Sequence, residues 1–415
     1  MAAMEQKKIA IVSRIYSPEP AAASFRLSAL AATLEKAGNE VQVLTVRPPQ
    51  ALVKKSVPPN KQNEATGQNK TNIQISRFPV LRDKEGYVKG YLQYLSFDIP
   101  AFFRVLFSRA DVFIVEPPPT TGFFVRIAST LRRKPYIYYA ADIWSDATEA
   151  MDTPGIITRI LRSVESFALR GAKRVIAVSP GVAERVAALG GNPTVVRNGI
   201  DTEIFSPTGS LPRPEKLQKL GISPNYAVYA GTMSPWQGAD IFIRALNQGP
   251  LRDTDLDLVF MGRGDDLPHL QKLAQEIAPG RVHFLDSQPP EISAQWQRGA
   301  VAGLVSIAPE CGYDFAYPTK FLASLSCGTP VCYAGAGPAG AEIRQFQLGE
   351  ICTWDSQEVA EKLAKLLDER AAQSPEAAKA HTQKLHGWIQ AHRSTAASAA
   401  AAAKVVTEAL AATPK

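Results

Sequence analysis

Apolar residues in this chain gather in short continuous runs that alternate with longer stretches of helical periodicity. KIAIV (8–12) is the first run; a polar loop, SRIYSPEPAAAS, follows it, and then FRLSALAATLEKAG, closed by Gly38. The apolar residues of that last stretch recur at helical spacing, and VQVLTV (41–46) resumes the continuous pattern. Strand, loop, helix, glycine, strand predicts a βαβ unit in a parallel sheet buried on both faces. DVFIVEPP (111–118), PYIYYA (135–140), RVIAVS (174–179) and TVVRNG (194–199) extend the series, so residues 1–205 read as one doubly wound α/β domain. The same grammar restarts with YAVYAG (226–231) and continues through DLVFMG (257–262), VHFLDS (282–287), AGLVSIAP (302–309) and TPVCYAG (329–335). A second doubly wound domain is expected over residues 206–380, the two facing each other across a cleft at their strand C-termini. Residues 381–415 are alanine-rich and predict a helix of high propensity that packs back toward the N-terminal domain.

Two segments stand outside this alternation. Residues 50–72 are polar and proline-dotted, which predicts a long loop between strands. In GYVKGYLQYLSFDIPAFFRVLF (86–107), Tyr87, Tyr91, Tyr94, Phe97, Phe102 and Phe103 interleave with Lys89 and Arg104. Either one helix packs this aromatic stripe on the sheet, or the stripe meets a lipid headgroup or lipid-linked acceptor.

Length and composition fit the two-domain reading: 415 residues exceed one compact core, and 45% hydrophobic with 20% charged residues is an ordinary globular mixture. Charge is more informative. Residues 1–204 hold 27 Lys and Arg against 18 Asp and Glu, a net of +9, while the remainder holds 19 against 21. The basic half suits an anionic partner: a phosphorylated acceptor, an acidic membrane surface or nucleic acid. No run of 18 apolar residues predicts a transmembrane helix, and Ile9 to Val12 is too short for the apolar core of a signal peptide. Cys311, Cys327, Cys332 and Cys352 form no C-x-x-C motif and read as reduced thiols of a cytoplasmic protein.

Several chemistries are excluded by missing motifs. No G-x-G-x-x-G follows the first strand, and no Walker A sequence occurs, which argues against a dinucleotide-dependent dehydrogenase and a P-loop kinase. Asp253, Asp255 and Asp257 enter their strand from the N-terminal side and read as a solvated turn; no metal or cofactor is expected. Gly262-Arg263-Gly264 sets a tight turn at a strand end, where ligands of doubly wound sheets gather. Gly231 to Gly238 runs from a strand into a helix expected near Ala239, whose N-terminal amides suit a phosphate. Pro318-Thr319-Lys320 opens another helix and adds a point charge for the same purpose.

VVRNGIDTEIF (195–205) resembles the V-x-N-G-[IV]-D-x-x-x-F hinge of family 4 glycosyltransferases, which have the GT-B fold. DIWSD (142–146), ESFALRGAKRVIAVSPG (165–181), YAGTMSPWQGADIFIRAL and YPTKFLASLSCGTPV resemble further segments of that family in the same order. The last two are most similar to the bacterial N-acetylfucosamine-transferase-like subgroup. The resemblance implies a retaining transferase that takes a sugar from a nucleotide diphosphate sugar. Its catalytic residues would be Lys320 and Asp142. Donor contacts would come from Gly231, Thr232, Ser234, Gln237, Gly238, Arg263, Leu285, Pro318 and Thr319. Tyr16, Glu19, Ala22, Arg26, Trp144 and Asn198 would line the acceptor side. All five histidines lie from His269 onward, which leaves the first domain without a histidine base and suits a retaining mechanism in which the leaving phosphate assists deprotonation.

The sequence departs from the family at the donor side. Phe315 and Ala323 stand where many members have paired glutamates, and the nearby carboxylates Glu310 and Asp314 would substitute for them as donor-binding residues. Thr232 and Gln237 occupy positions that often hold cations. The implied partners are a nucleotide-sugar donor, an anionic glycan or lipid-phosphate acceptor and a peripheral contact with the inner membrane surface, not nucleic acid. Polysaccharide or glycolipid synthesis for the cell envelope is the implied setting. The competing readings are a non-catalytic nucleotide-sugar-binding protein and a GT-B nucleotide-sugar epimerase.

Overall fold

The computed structural model describes residues 6–19, 21–49, 72–83, 88, 90–149, 155–314 and 316–411. Residues 50–71 of the expected loop, with Tyr87, Lys89 and Phe315, lie outside these ranges. The chain forms two compact units, Met1–Asn198 with Thr395–Lys415, and Gly199–Ser394.

The first unit contains β1 (Lys8–Val12), α1 (Ala22–Lys36), β2 (Glu40–Val46), β3 (Gln74–Phe78), α2 (Tyr91–Leu106), β4 (Val112–Val115), α3 (Pro119–Leu131), β5 (Tyr136–Ala140), α4 (Trp144–Glu149), α5 (Gly155–Gly171), β6 (Arg174–Ala177), α6 (Pro180–Ala188) and β7 (Pro193–Val195). The second contains α7 (Pro214–Leu220), β8 (Tyr226–Ala230), α8 (Asp240–Ala245), α9 (Gly249–Arg252), β9 (Asp257–Met261), α10 (Leu267–Ile277), β10 (Val282–Leu285), α11 (Pro290–Gly299), β11 (Ala302–Ile307), α12 (Lys320–Ser326), β12 (Val331–Gly335), α13 (Pro338–Phe346), β13 (Gly349–Cys352), α14 (Ser356–Ala372) and α15 (Pro375–His392). The last helix, α16 (Thr395–Ala411), returns to the first unit.

Both sheets are parallel throughout, ordered β3-β2-β1-β4-β5-β6-β7 and β10-β9-β8-β11-β12-β13. Strand order therefore reverses between β1 and β4 in one unit and between β8 and β11 in the other. At such a point neighbouring loops leave in opposite directions and open a crevice beyond the strand C-termini. β1, β4, β5, β9 and β11 follow the continuous apolar runs and are almost wholly buried. β3 and β13 are edge strands, QISRF and GEIC, whose residues stay largely exposed or half-buried. They lack an apolar run, which is why periodicity does not announce them.

The first sheet is covered on both faces. Phe97, Ala101 and Val105 of α2, Val125 and Ala128 of α3, Ala168 and Leu169 of α5, and Val182 and Val186 of α6 pack on one face. α1 and α16 cover the other, where Leu27, Leu30 and Leu34 meet Ala402, Val405 and Val406 above Ile9, Ile11 and Ile114. The alanine tract thus has a packing role: small side chains let α16 lie close to α1. The stretch after residue 380 is not one helix, because α15 runs to His392 within the second unit and only α16 belongs to the first.

The inner face of α2 carries one charge, Asp98, which is fully buried. Thr121 Oγ1 donates a hydrogen bond to it. Burial raises this carboxyl from 3.8 to about 6, against the opposing pull of Thr120, Thr121 and Arg14. A proton held to about pH 6 in the fold, but only to 3.8 when unfolded, stabilises the fold at low pH. That stability is lost as pH rises through the window, by up to about 3 kcal/mol. Asp98→Asn keeps an acceptor for Thr121 without the charge, so the variant should gain on wild type by about this amount between pH 4 and pH 7 in paired urea titrations. Parallel pH dependence in the two proteins would contradict the buried carboxyl.

Candidate functional site

In the second unit the loops leaving β8 and β9 run together as bare backbone. Gly231 N–H donates to Met261 O at 2.8 Å, Met233 N–H to Arg263 O at 2.9 Å and Asp266 N–H to Met233 O at 3.2 Å. A Cβ on Gly262 would sit 1.9 Å from Gly231 O, and one on Gly264 would sit 1.8 Å from Met233 O. Gly262 also has φ of +149°. No side chain fits at either position, so the G-x-G is a backbone contact as well as a turn. Leu285, at the end of β10, accepts from Gly262 N–H at 3.0 Å and extends the contact.

Lys320 opens α12 beyond β11, across the strand reversal from the β8 loop. Its Nζ donates to the Tyr229 hydroxyl, to Thr232 O at 2.5 Å and to Gln237 Oε1 at 2.9 Å, and lies 3.9 Å from the Tyr229 ring centroid. Tyr229 Oη donates in turn to Gln237 Oε1 at 2.8 Å, which also takes Ser234 N–H at 3.3 Å. Every group around this amine is a neutral oxygen, and among the described residues no carboxylate pairs with it. Burial pulls its pKa well below the usual 10.5. Gln237 is therefore not a free donor contact: its buried side chain ties Lys320, Tyr229 and the loop together.

The helix expected near Ala239 starts at Asp240 and runs for six residues; a 3₁₀ turn, Pro235–Gln237, precedes it, with Ser234 at its N-cap. Gly238 joins them at φ of +58°, where a Cβ would meet the Trp354 ring at 2.3 Å. A six-residue helix that starts with an aspartate is a weaker anion site than a long one, which leaves more of the electrostatics to Lys320.

The remaining donor-side residues fall around this core. Pro318 and Thr319 are half-buried and lead into α12. Trp236 stacks on Tyr313 of the β11–α12 loop, with ring centroids 4.6 Å apart. Glu310, at φ of +60°, and Asp314 are exposed on that loop, and Glu310 N–H donates to Asp314 Oδ1 at 3.1 Å. Asp314 is thus engaged in shaping the loop. Arg263 is well exposed and approaches Asp286 at 3.7 Å. Asp257 is buried rather than solvated: it accepts from Ser223 N–H at 2.8 Å and sits 3.1 Å from His283 Nε2. Among the described residues no group of three His, Cys, Asp or Glu could hold a metal ion.

In the first unit the reversal between β1 and β4 places Ser13 and Glu116 side by side, with Ser13 Oγ donating to Glu116 Oε2 at 3.2 Å. Arg26 of α1 forms a nearly dry ion pair with the other oxygen of Glu116, donates to Asn198 Oδ1 at 3.3 Å and lies over the Tyr139 ring at 4.8 Å. Asp142, exposed beyond β5, lies within the field of Arg26. Arg26, Asn198 and Asp142 therefore share one centre. Trp144 belongs to a second: its N–H donates to Glu165 Oε1 at 2.8 Å, and its ring meets Tyr94 at 5.8 Å and the Arg14 guanidinium at 5.6 Å. Glu19 pairs with Arg82 at 3.1 Å, Tyr16 is buried with its hydroxyl pKa raised by that burial, and Ala22 is exposed at the start of α1. Sequence reasoning missed Glu116, Arg14 and Tyr229, and named Tyr94 only as part of the aromatic stripe of residues 86–107. A signal existed for Glu116, since a carboxylate ending a buried apolar strand requires a partner. Tyr229 has none, because inside its strand it reads as core.

Comparisons with known proteins agree with the two-domain fold. Residues 22–199 match the glycosyl transferase 4-like domain family, and residues 224–369 match the glycosyl transferases group 1 family. The chain thus carries two glycosyltransferase domains in tandem, in the GT-B fold. Among solved structures, Anabaena Alr3699/HepE in complex with UDP-glucose aligns with a TM-score of 0.67 at 19% identity, over 97% of this chain and 100% of that one. Sucrose-phosphate synthase (tll1590) from Thermosynechococcus elongatus aligns with a TM-score of 0.69 at 15% identity, over 98% and 100%. WaaG, a glycosyltransferase involved in lipopolysaccharide biosynthesis, gives 0.67 at 15%, over 96% and 99%. No curated protein sequence matches the chain.

The Arg26–Glu116 pair supplies a test of the first unit's centre. Removing one member leaves the other buried and unpaired, so Glu116→Ala should cost about 3–5 kcal/mol in chemical denaturation. The double variant Arg26→Met with Glu116→Leu should recover most of that loss. Additive losses would mean that the two charges act independently.

Proposed function

We propose that this chain is a retaining glycosyltransferase that moves a hexosyl- or N-acetylhexosaminyl-type sugar from a nucleotide diphosphate sugar to an anionic glycan or lipid-linked acceptor. Cell-envelope polysaccharide or glycolipid synthesis at the cytoplasmic face is its setting. The observation that carries the reading is Lys320: a buried amine at the strand reversal of the group 1 domain, ringed by neutral oxygens and lacking a carboxylate partner among the described residues. A diphosphate supplies the missing negative charge. Gly231, Thr232, Ser234 and Gly238 form the loop beside it, Arg263 and Leu285 the nucleoside side, and Pro318 and Thr319 the approach to Lys320. The UDP-glucose in the similar Anabaena structure supports this donor class, and the lipopolysaccharide role of WaaG supports this setting. The N-acetylfucosamine-like subgroup rests on the two donor-side sequence strings alone.

In this reading Lys320 stabilises the charge that grows on the departing diphosphate, and the departing phosphate takes the acceptor proton. Asp142 and Arg26 orient the acceptor on the first unit, with Tyr16, Glu19, Ala22, Trp144 and Asn198 around them. The absence of histidine before His269 accords with this retaining route.

Incubation with a panel of UDP-, GDP- and ADP-sugars and lipid-phosphate acceptors tests the function. Turnover is expected with one donor class, and Lys320→Ala should lower kcat/KM by about 30- to 1000-fold, equivalent to about 2–4 kcal/mol. Binding without turnover in any mixture would favour the non-catalytic reading, and no binding at all would sink both. Because burial lowers the Lys320 pKa, the free protein loses this positive charge at an unusually low pH. Donor affinity should then fall as pH rises through that lowered pKa, by up to about tenfold per pH unit. Calorimetric titrations across the neutral to alkaline range read this directly, and a flat profile would show that Lys320 keeps its proton or makes no donor contact.

A further inference from the structure

α2, α3 and α5 lie side by side on one face of the first unit's sheet. Five phenylalanine rings run across all three. Phe103 meets Phe102 on α2 at 5.1 Å, Phe102 meets Phe124 of α3 at 6.4 Å, Phe124 meets Phe123 at 5.5 Å, and Phe123 meets Phe167 of α5 at 5.1 Å. Both ends of this band are exposed, and the rings between them are half-buried. The apolar surface continues lengthwise: Leu92, Leu95, Ile99 and Phe103 are all exposed along α2, at spacings of three and four residues. On α5, Ile156 is 67% exposed and Ile160 is 60% exposed. Outward-facing apolar residues at helical spacing on neighbouring helices form a contiguous patch, which water-exposed proteins seldom leave uncovered.

The charges select what covers it. The three helices contain two carboxylates, Asp98 and Glu165, and both are turned inward and buried. Arg104 turns toward the sheet edge, where it donates to Ser76 O at 2.7 Å, and the other cations lie at the outer surface. Arg126 lies 3.9 Å over the Phe167 ring, Arg159 and Arg170 are exposed on α5, and Arg133 is exposed just beyond α3. An apolar face with arginines at its margins and no outward acid complements a surface whose outer layer is anionic and whose interior is hydrocarbon. Pairing this face with a second copy of itself would instead oppose cation to cation. Among the described residues no helix is long and apolar enough to cross a membrane, so the contact is one of helices lying on the surface.

We propose that the α2–α3–α5 face docks on an anionic lipid bilayer, with the phenylalanine band at the headgroup–acyl boundary and the arginines on lipid phosphates. The proposal deepens the reading of a lipid-linked acceptor and rests on it for its purpose. It also divides the aromatic stripe of residues 86–107 between its two readings: Phe97 is core, and Phe103 faces outward.

Flotation of the full chain with vesicles tests it without donor or acceptor, so its failure and that of the transferase reading are separate results. Wild type should float with vesicles containing phosphatidylglycerol, release as salt rises, and float poorly with pure phosphatidylcholine. Ile99→Glu with Phe103→Glu should weaken flotation about tenfold or more while thermal unfolding stays near wild type. Arg159→Glu with Arg133→Glu, both on exposed sites, should weaken binding to the anionic vesicles only. Phe25→Glu, on the opposite face, should float as wild type does. Equal flotation of wild type on both lipids would overturn the proposal. So would full binding by the Ile99/Phe103 variant, or a dimer by light scattering that this variant dissolves.

Discussion

The donor-side arrangement depends on a place where two backbones touch with no room for a side chain. Gly262 and Gly264 lie directly on the carbonyls of Gly231 and Met233. That contact lets the loops after β8 and β9 go on hydrogen-bonding past the end of the sheet, and it fixes the carbonyl of Thr232 between two tied residues. Lys320 takes this carbonyl as one of its three acceptors. A methyl group on either glycine would push the loops apart and move the oxygen against which the lysine is registered.

The two units treat buried charge in opposite ways. In the first, Arg26 meets Glu116, and the pair is closed within the protein. In the second, Lys320 is dissolved in dipoles: a phenol, a peptide carbonyl and a side-chain amide. Dipoles orient a cation without neutralising it, so its partner must arrive with a ligand. Departure from the family pattern at Gln237 fits this logic, since a second cation there would repel Lys320, whereas an amide oxygen holds it.

Much of this architecture was legible because parallel strands buried on both faces read as plain apolar runs, from KIAIV to PVCYA. The edge strands β3 and β13 were not, since half their surface faces water and their residues alternate without contrast. Lys320 stood out by its place before a helix, and Gly262-Arg263-Gly264 by its spacing. Tyr229 and Glu116 did not, because their roles come from what the strand reversal brings beside them, which has no image in local sequence. The apolar face of α2 was visible as a stripe, but which rings point inward depended on how the helix rolls against the sheet.

The return of α16 to the first unit has a consequence for how the molecule is made. Ala402, Val405 and Val406 cover Ile9 and Ile11, laid down nearly four hundred positions earlier, and Ile114, laid down nearly three hundred earlier. During synthesis the first sheet must wait with one face partly bare while the whole of Gly199–Ser394 is translated. The second unit is continuous and can close as soon as it emerges. The protein that begins with the first unit therefore finishes folding there last, and a ribosome that stalls before Thr395 releases a chain whose later half is complete and whose earlier half is not.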